Sequence, residues 1–301
     1  MKNILNSLIL TASLAVTAQA GLDHLFYHPD ARGYAVPSQD GYAYEDIQFL
    51  SEDGTKLSGW FIPAKGKALG TVIHFHGNAQ NMSAHYSFVA WLPAHGFNLF
   101  VFDYRGYGKS EGQLSRKGVY QDSVAAVEYI KSRTDIDQSK LILFGQSLGG
   151  ANAIAVAGST EFDGIVGVVS DSAFSSYKGV ATDHAGLLKP FAYLLIGNKY
   201  SPKNVVKNIA PTPLVLIHGT DDPVVPYKHA EILFKKAGEP KKLWTLEGGQ
   251  HTEALGRFGN EVAPRLHQLF KSWVETEKES NKKQGLKPTR KISPDRSKSI
   301  F

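Results

Sequence analysis

Short apolar runs alternating with stretches of helical period constrain this chain more than any other feature. Residues 71–75, 97–102, 140–144, 164–169 and 213–217 are near-continuous apolar runs, the pattern of strands buried on both faces of a parallel sheet. Between them, Tyr120, Val124, Val127 and Ile130 fall on one helical stripe. Val262, Leu266, Leu269, Phe270 and Trp273 do the same near the end. Alternation of this kind predicts an α/β fold, a mostly parallel sheet with helices on both faces. The opening differs: two alternating runs between residues 42 and 62 flank Glu52-Asp53-Gly54, a hairpin signal for antiparallel edge strands. No internal repeat is present, and 301 residues with 42% hydrophobic side chains can bury one large core.

The ends do not belong to that pattern. Residues 1–20 combine Lys2, an apolar stretch from Ile4 to Ala18, and Ala18-Gln19-Ala20, which together read as a secretory signal peptide. The alternative is an uncleaved anchor, but polar residues interrupt the stretch and it falls short of the roughly 20 apolar residues a span requires. The expected localisation is export, to the periplasm or beyond. Residues 278–301 hold eight Lys/Arg against two acids and few large apolar side chains, so a basic, disordered tail is expected there. That tail carries +6 and Lys2 carries +1 of a chain whose total is +5, so the domain at 21–277 stands at −2. A nucleic-acid partner for the domain loses its support, while contact of the tail with anionic surfaces stays open. The complete absence of cysteine excludes disulfides, cysteine metal sites, thiol nucleophiles and lipidation through Cys.

Chemistry in such sheets collects at the carboxyl ends of strands. Directly after the run at 140–144 comes Gly145-Gln146-Ser147-Leu148-Gly149-Gly150, followed by an alanine-rich helical stretch. This is G-x-S-x-G in a strand–turn–helix setting, where a sharp turn exposes the serine hydroxyl. The bare pattern is weak in a chain with 29 glycines, and Gly108-Lys109-Ser110-Glu111-Gly112 matches it too. That second match lies past its strand with no helix after it and reads as a loop. It also mimics a phosphate loop, but Asp103 stands where such a motif needs glycine.

A serine needs a base, and the base needs an orienting carboxylate. His251, in Leu246-Glu247-Gly248-Gly249-Gln250-His251, lies between a predicted strand and the last helix, and its glycines permit a loop folding back over the sheet. The acid is placed at Asp222, in His218-Gly219-Thr220-Asp221-Asp222-Pro223, because Pro223 and the run after it fix the loop. Asp221 is read as a turn former, and Asp171 is a rival position for the acid. The oxyanion donors are expected to be the backbone N–H groups of Leu148 and Asn78, with Ala79 a neighbouring alternative. His74 and His76 share a strand face, yet no third ligand is suggested, so no metal is expected.

Taken together, His76-Gly77-Asn78-Ala79, the stretch from Phe102 through Asp103, Arg105 and Gly108 to Ser110, Gly145–Gly149, His218–Asp222 and Gly249-Gln250-His251 resemble the α/β-hydrolase superfamily. The similarity is nearest to serine-aminopeptidase and lysophospholipase-like single-domain hydrolases and spans about residues 42–275. The order Ser147, Asp222, His251 is the order that superfamily uses. The resemblance implies an eight-stranded, mostly parallel sheet, a Ser-His-Asp triad, no cofactor, and a structural role for Asp103 and Arg105. The expected activity is hydrolysis of carboxylic esters or thioesters of a small or lipid-like acyl substrate. A peptidase of the same fold and a non-catalytic binding protein are the alternatives. Where other members carry a larger lid, residues 172–207 form only a short cap. Its apolar run at 187–196 either lines an acyl pocket or is a helix packed on the sheet.

Overall fold

The computed structural model describes residues 26–284, with side chains through residue 276. The expected signal segment, 1–20, and residues 285–301 lie outside that range.

Among the described residues there are ten strands: β1 (His28–Pro29), β2 (Glu45–Leu50), β3 (Lys56–Ile62), β4 (Gly70–Phe75), β5 (Ala79–Gln80), β6 (Phe97–Phe102), β7 (Leu141–Gln146), β8 (Ile165–Asp171), β9 (Leu214–Gly219) and β10 (Lys241–Leu246). Eight of them form one sheet in the order β10-β9-β8-β7-β4-β6-β3-β2, while β1 and β5 make a separate two-stranded pair. The pairs from β10 to β6 are all parallel, and β3 joins β6 and β2 antiparallel, as the hairpin signal predicts. The helices are α1 (Met82–Val89), α2 (Arg116–Ser132), α3 (Leu148–Ser159), α4 (Tyr177–His184), α5 (Lys189–Leu195), α6 (Lys228–Lys236) and α7 (Gly259–Gln284).

Side chains alternate across a strand, so each buried run feeds two cores. Ile73 and Phe75 of β4 join Leu141 and Leu143 of β7 on the face covered by α2 and α3. Val72, Ile142 and Phe144 point to the opposite face, where Met82, Tyr86 and Val89 of α1 and Val262, Leu266, Phe270 and Val274 of α7 pack. The stripe predicted for α2 is rotated. Tyr120 and Val124 are only half-buried, and the face against the sheet is Val119, Ser123, Ala126, Val127 and Ile130. The cause is a polar one: Asp122 must also be buried, because it pairs with Arg105. Helix α7 continues to Gln284, past the boundary drawn at residue 277.

Candidate active site

Ser147 occupies the turn between β7 and α3, with φ 52° and ψ −114°. A non-glycine residue in the left-handed half of the map costs about 1–3 kcal/mol and needs surroundings that impose it. Two constraints are visible. The Ser147 N–H donates to the Asp171 carbonyl at 2.7 Å, tying the turn to β8. The flanking glycines let backbones touch: a Cβ on Gly145 would lie 2.2 Å from the Gly149 carbonyl oxygen, and one on Gly149 would lie 1.9 Å from that of Phe75. Neither obstacle is a flexible side chain. Gly149→Ala should therefore cost about 3 kcal/mol or more, read as a drop in Tm of about 6–12 °C for a domain of this size. An unchanged Tm would mean that α3 does not sit against β4 this closely.

His251 reaches the serine from the loop after β10. Its Nε2 is 2.9 Å from Ser147 Oγ, and its Nδ1 is 2.7 Å from Asp222 Oδ2. With the proton on Nδ1, the ring donates to Asp222 and accepts from the serine hydroxyl. The loop closes over the end of β9: a Cβ on Gly219 would meet the Gly249 carbonyl oxygen at 2.1 Å, and the Asp221 N–H donates to that same carbonyl. Asp222 is buried, which alone would raise its pKa. Hydrogen bonds from His218 and His251 and from the backbone outweigh burial and hold its carboxyl below the usual range. The backbone donors are the N–H groups of Val224 and Val225, each 2.8 Å from Oδ1. Asp221 is exposed and accepts only from the neighbouring Thr220 hydroxyl, the turn role expected of it.

Asp171, the rival acid, is fully buried and its side chain bonds Ser172 at 3.0 Å. Burial pushes its pKa up to about 6. Two residues at this site carry no sequence signal. Ser172 and Thr252 both have positive φ (54° and 56°), and the Thr252 N–H donates to Ser172 Oγ at 3.0 Å, tying the histidine loop to the end of β8. Only the tertiary meeting of two loops selects them.

Asn78 and Leu148, the expected oxyanion donors, line the same cleft as Ser147 and His251, and so does Ala79. Leu148 begins α3, so its N–H has no intrahelical acceptor. The Tyr107 hydroxyl lies 2.7 Å from the Asn78 carbonyl and 2.9 Å from its Oδ1, fixing the loop. The histidines of β4 have other duties. The His76 ring packs against Tyr104 and Tyr107 while its Nδ1 contacts the Gly77 carbonyl, and His74 lies edge-on to Phe144. Burial pushes the His74 pKa down to about 3. The second G-x-S-x-G match is a loop: Ser110 Oγ donates to the Asp103 carbonyl at 2.7 Å and accepts from the Ser58 N–H at 2.9 Å. Asp103 accepts from the Met82 N–H at 2.7 Å, and Arg105 bridges Asp122, Asp53 and Ser51, so both residues hold loops in place.

The cleft beside Ser147 has a volume of about 680 Å³. Helix α4 supplies Tyr177, Val180, Ala181 and His184 to its wall, Phe174 and Ile196 come from the flanking cap, and Phe26 and His28 from the segment before β2. Neither expectation for the apolar run at 187–196 describes it. Only Ile196 lines the cleft; Leu187, Leu188, Phe191, Tyr193, Leu194 and Leu195 are exposed. The chain leaves the rim at Gly186, whose φ of 51° turns it outward, and α5 is too short to reach back to the sheet.

A parallel sheet extended at one edge by an antiparallel hairpin, with a strained serine on the strand–helix turn and histidine and aspartate on the later loops, defines an α/β-hydrolase. The chain belongs to that family. A family model described as "Serine aminopeptidase, S33" matches residues 66–207. The chain is 43% identical over 236 residues to "Uncharacterized protein YfhR" of Escherichia coli O157:H7, covering 77% of this chain and 81% of that protein. It is 34% identical over 224 residues to "Alpha/beta hydrolase domain-containing protein WAV2" of Arabidopsis thaliana, covering 69% and 71%. Among solved structures, the Pyrococcus furiosus esterase Pf2001 superposes with a TM-score of 0.69 at 23% identity, over 82% of this chain and 99% of that one.

Proposed function

We propose that the protein hydrolyses carboxylic esters of an apolar acyl group, with Ser147 as nucleophile, His251 as base and Asp222 as the residue that orients His251. Ser147 Oγ forms a bond to the carbonyl carbon as its proton passes to His251 Nε2, and the carbonyl electron pair moves onto oxygen. The N–H groups of Leu148 and Asn78 receive that oxyanion. Collapse breaks the bond to the leaving alkoxide, which takes the proton from His251. A water deprotonated by His251 then releases the acyl group from Ser147 by the same steps in reverse.

The observation that carries the choice of ester over peptide amine is the cleft wall. Among the described residues lining it there is no aspartate or glutamate, and most are apolar. An aminopeptidase must seat an α-ammonium group, and burying one without a carboxylate costs several kcal/mol. The test is a panel of p-nitrophenyl acyl esters against aminoacyl p-nitroanilides on purified protein. Esters should win in kcat/KM by about 10² to 10³ beyond their intrinsic reactivity. Preference for the aminoacyl anilides would install the peptidase reading. Failure to turn over either class or to label with a fluorophosphonate would favour a binding protein on this fold.

A further inference from the structure

Large exposed apolar side chains are few on the described surface, and they are not scattered. Six of them fall within nine consecutive residues, Leu187, Leu188, Phe191, Tyr193, Leu194 and Leu195, with exposures from 57% to 98%. Isolated apolar residues on a surface carry no message, but a contiguous patch marks an interaction site. Its position is specific. The excursion departs from Ala185 and returns at Ile196, both of which line the cleft beside Ser147. Val224, exposed and also on the cleft wall, is held to the same rim by His184, whose Nε2 lies 2.6 Å from the Val224 carbonyl oxygen.

Charge along the cap is predominantly positive. Residues 172–207 contain Lys178, Lys189, Lys199, Lys203 and Lys207 against a single acid, Asp183, which Lys228 and His229 already engage. Lys178 Nζ lies 4.3 Å over the Tyr193 ring, and Lys189, the first residue of α5, and Lys199, four residues past its end, are both exposed. The domain as a whole stands at −2, so the positive cap is a local arrangement. Exposed leucine and phenylalanine, an amphipathic tyrosine and flanking lysines form the surface that enters a bilayer interface while its ammonium groups stay at the headgroups. A second copy of the chain fits poorly, because a two-fold contact through this patch would bring like-charged lysines together.

We propose that residues 186–195 dock the protein on an anionic lipid bilayer, with the mouth of the cleft facing the membrane. The docking surface stands on exposure and charge alone; that it presents membrane-borne acyl esters to Ser147 rests on the ester-hydrolase reading above.

The test uses the full chain and vesicles of phosphatidylcholine with and without phosphatidylglycerol, in a co-sedimentation assay. The wild type should partition to the anionic vesicles. The triple substitution Leu187→Ser, Phe191→Ser, Leu194→Ser should lower that partitioning by about tenfold or more. Its turnover of a soluble p-nitrophenyl ester should be unchanged, since none of the three lines the cleft. Lys189→Glu with Lys199→Glu should remove the preference for phosphatidylglycerol. Ser147→Ala should partition like the wild type, so a protein that binds vesicles but hydrolyses no ester keeps the docking surface and loses only the catalytic reading. The proposal is overturned if the wild type ignores anionic vesicles or if the triple variant binds them equally well. It is also overturned if the substitutions change only the oligomeric state seen by light scattering.

Discussion

Ser147→Ala should lower kcat on a p-nitrophenyl ester by about 10⁴ to 10⁶ and abolish fluorophosphonate labelling, while Ser110→Ala should leave both within about twofold. The two serines sit in the same five-residue pattern, so the contrast tests geometry rather than motif. Ser147 Oγ is 2.9 Å from His251 Nε2, lines the cleft, and stands at the start of α3. Ser110 Oγ already donates to the Asp103 carbonyl and accepts from the Ser58 N–H, and it is absent from the cleft wall. Losing its hydroxyl leaves the Ser58 N–H without its acceptor, at a cost of about 1–3 kcal/mol. The expected phenotype of Ser110→Ala is thus a lower Tm with normal turnover. Full activity in Ser147→Ala would remove Ser147 from the mechanism; a dead Ser110→Ala of unchanged Tm would point to a site no present contact explains.

The difference between those serines was legible in the sequence because it depends on neighbours along the chain. A continuous apolar run before Ser147 and an alanine-rich stretch after it specify strand, turn and helix; Ser110 has neither. The same holds for the parallel strands, whose burial on two faces removes any need for alternation, and for the edge hairpin, whose turn is short. Legibility failed where long-range partners decide. Tyr120 and Val124 satisfied a helical period, yet the Asp122–Arg105 pair turned α2 by bringing a carboxylate inside. The run at 187–196 satisfied the composition of a buried element, and composition does not reveal that a seven-residue helix bounded by Gly186 stands away from the sheet. Phe26 and His28 line the cleft through a two-residue strand, β1, paired with β5, too short to leave a periodic trace. Ser172 and Thr252 became neighbours only when two distant loops met.

The choice between two buried aspartates gives the second large effect: Asp222→Asn should lower kcat by about 10⁴, and Asp171→Asn by less than about tenfold. The argument for Asp222 rests on which oxygen does what. Its Oδ1 accepts two backbone N–H groups, from Val224 and Val225, so any replacement must keep an acceptor there. An asparagine at 222 therefore places its carbonyl oxygen at the Oδ1 position and its amide nitrogen at the Oδ2 position, 2.7 Å from His251 Nδ1. The amide then donates to Nδ1, which drives the imidazole proton to Nε2, where it faces Ser147 and cannot accept the hydroxyl proton. The variant keeps both backbone hydrogen bonds at the Oδ1 position, loses the acceptor that His218 Nε2 faces at Oδ2, and holds its base in the wrong tautomer. Asp171 lies near His251 but makes no hydrogen bond to it. Its carboxyl bonds Ser172, and what reaches Ser147 is its backbone carbonyl, which asparagine retains. Burial draws its pKa up to about 6, so an amide in its place removes a charge near neutral pH, but no hydrogen bond to His251 or to the Ser147 hydroxyl. Measuring kcat for both variants alongside their Tm values decides the matter: an Asp171→Asn loss equal to that of Asp222→Asn, at unchanged Tm, would move the orienting carboxylate from the loop after β9 to the end of β8.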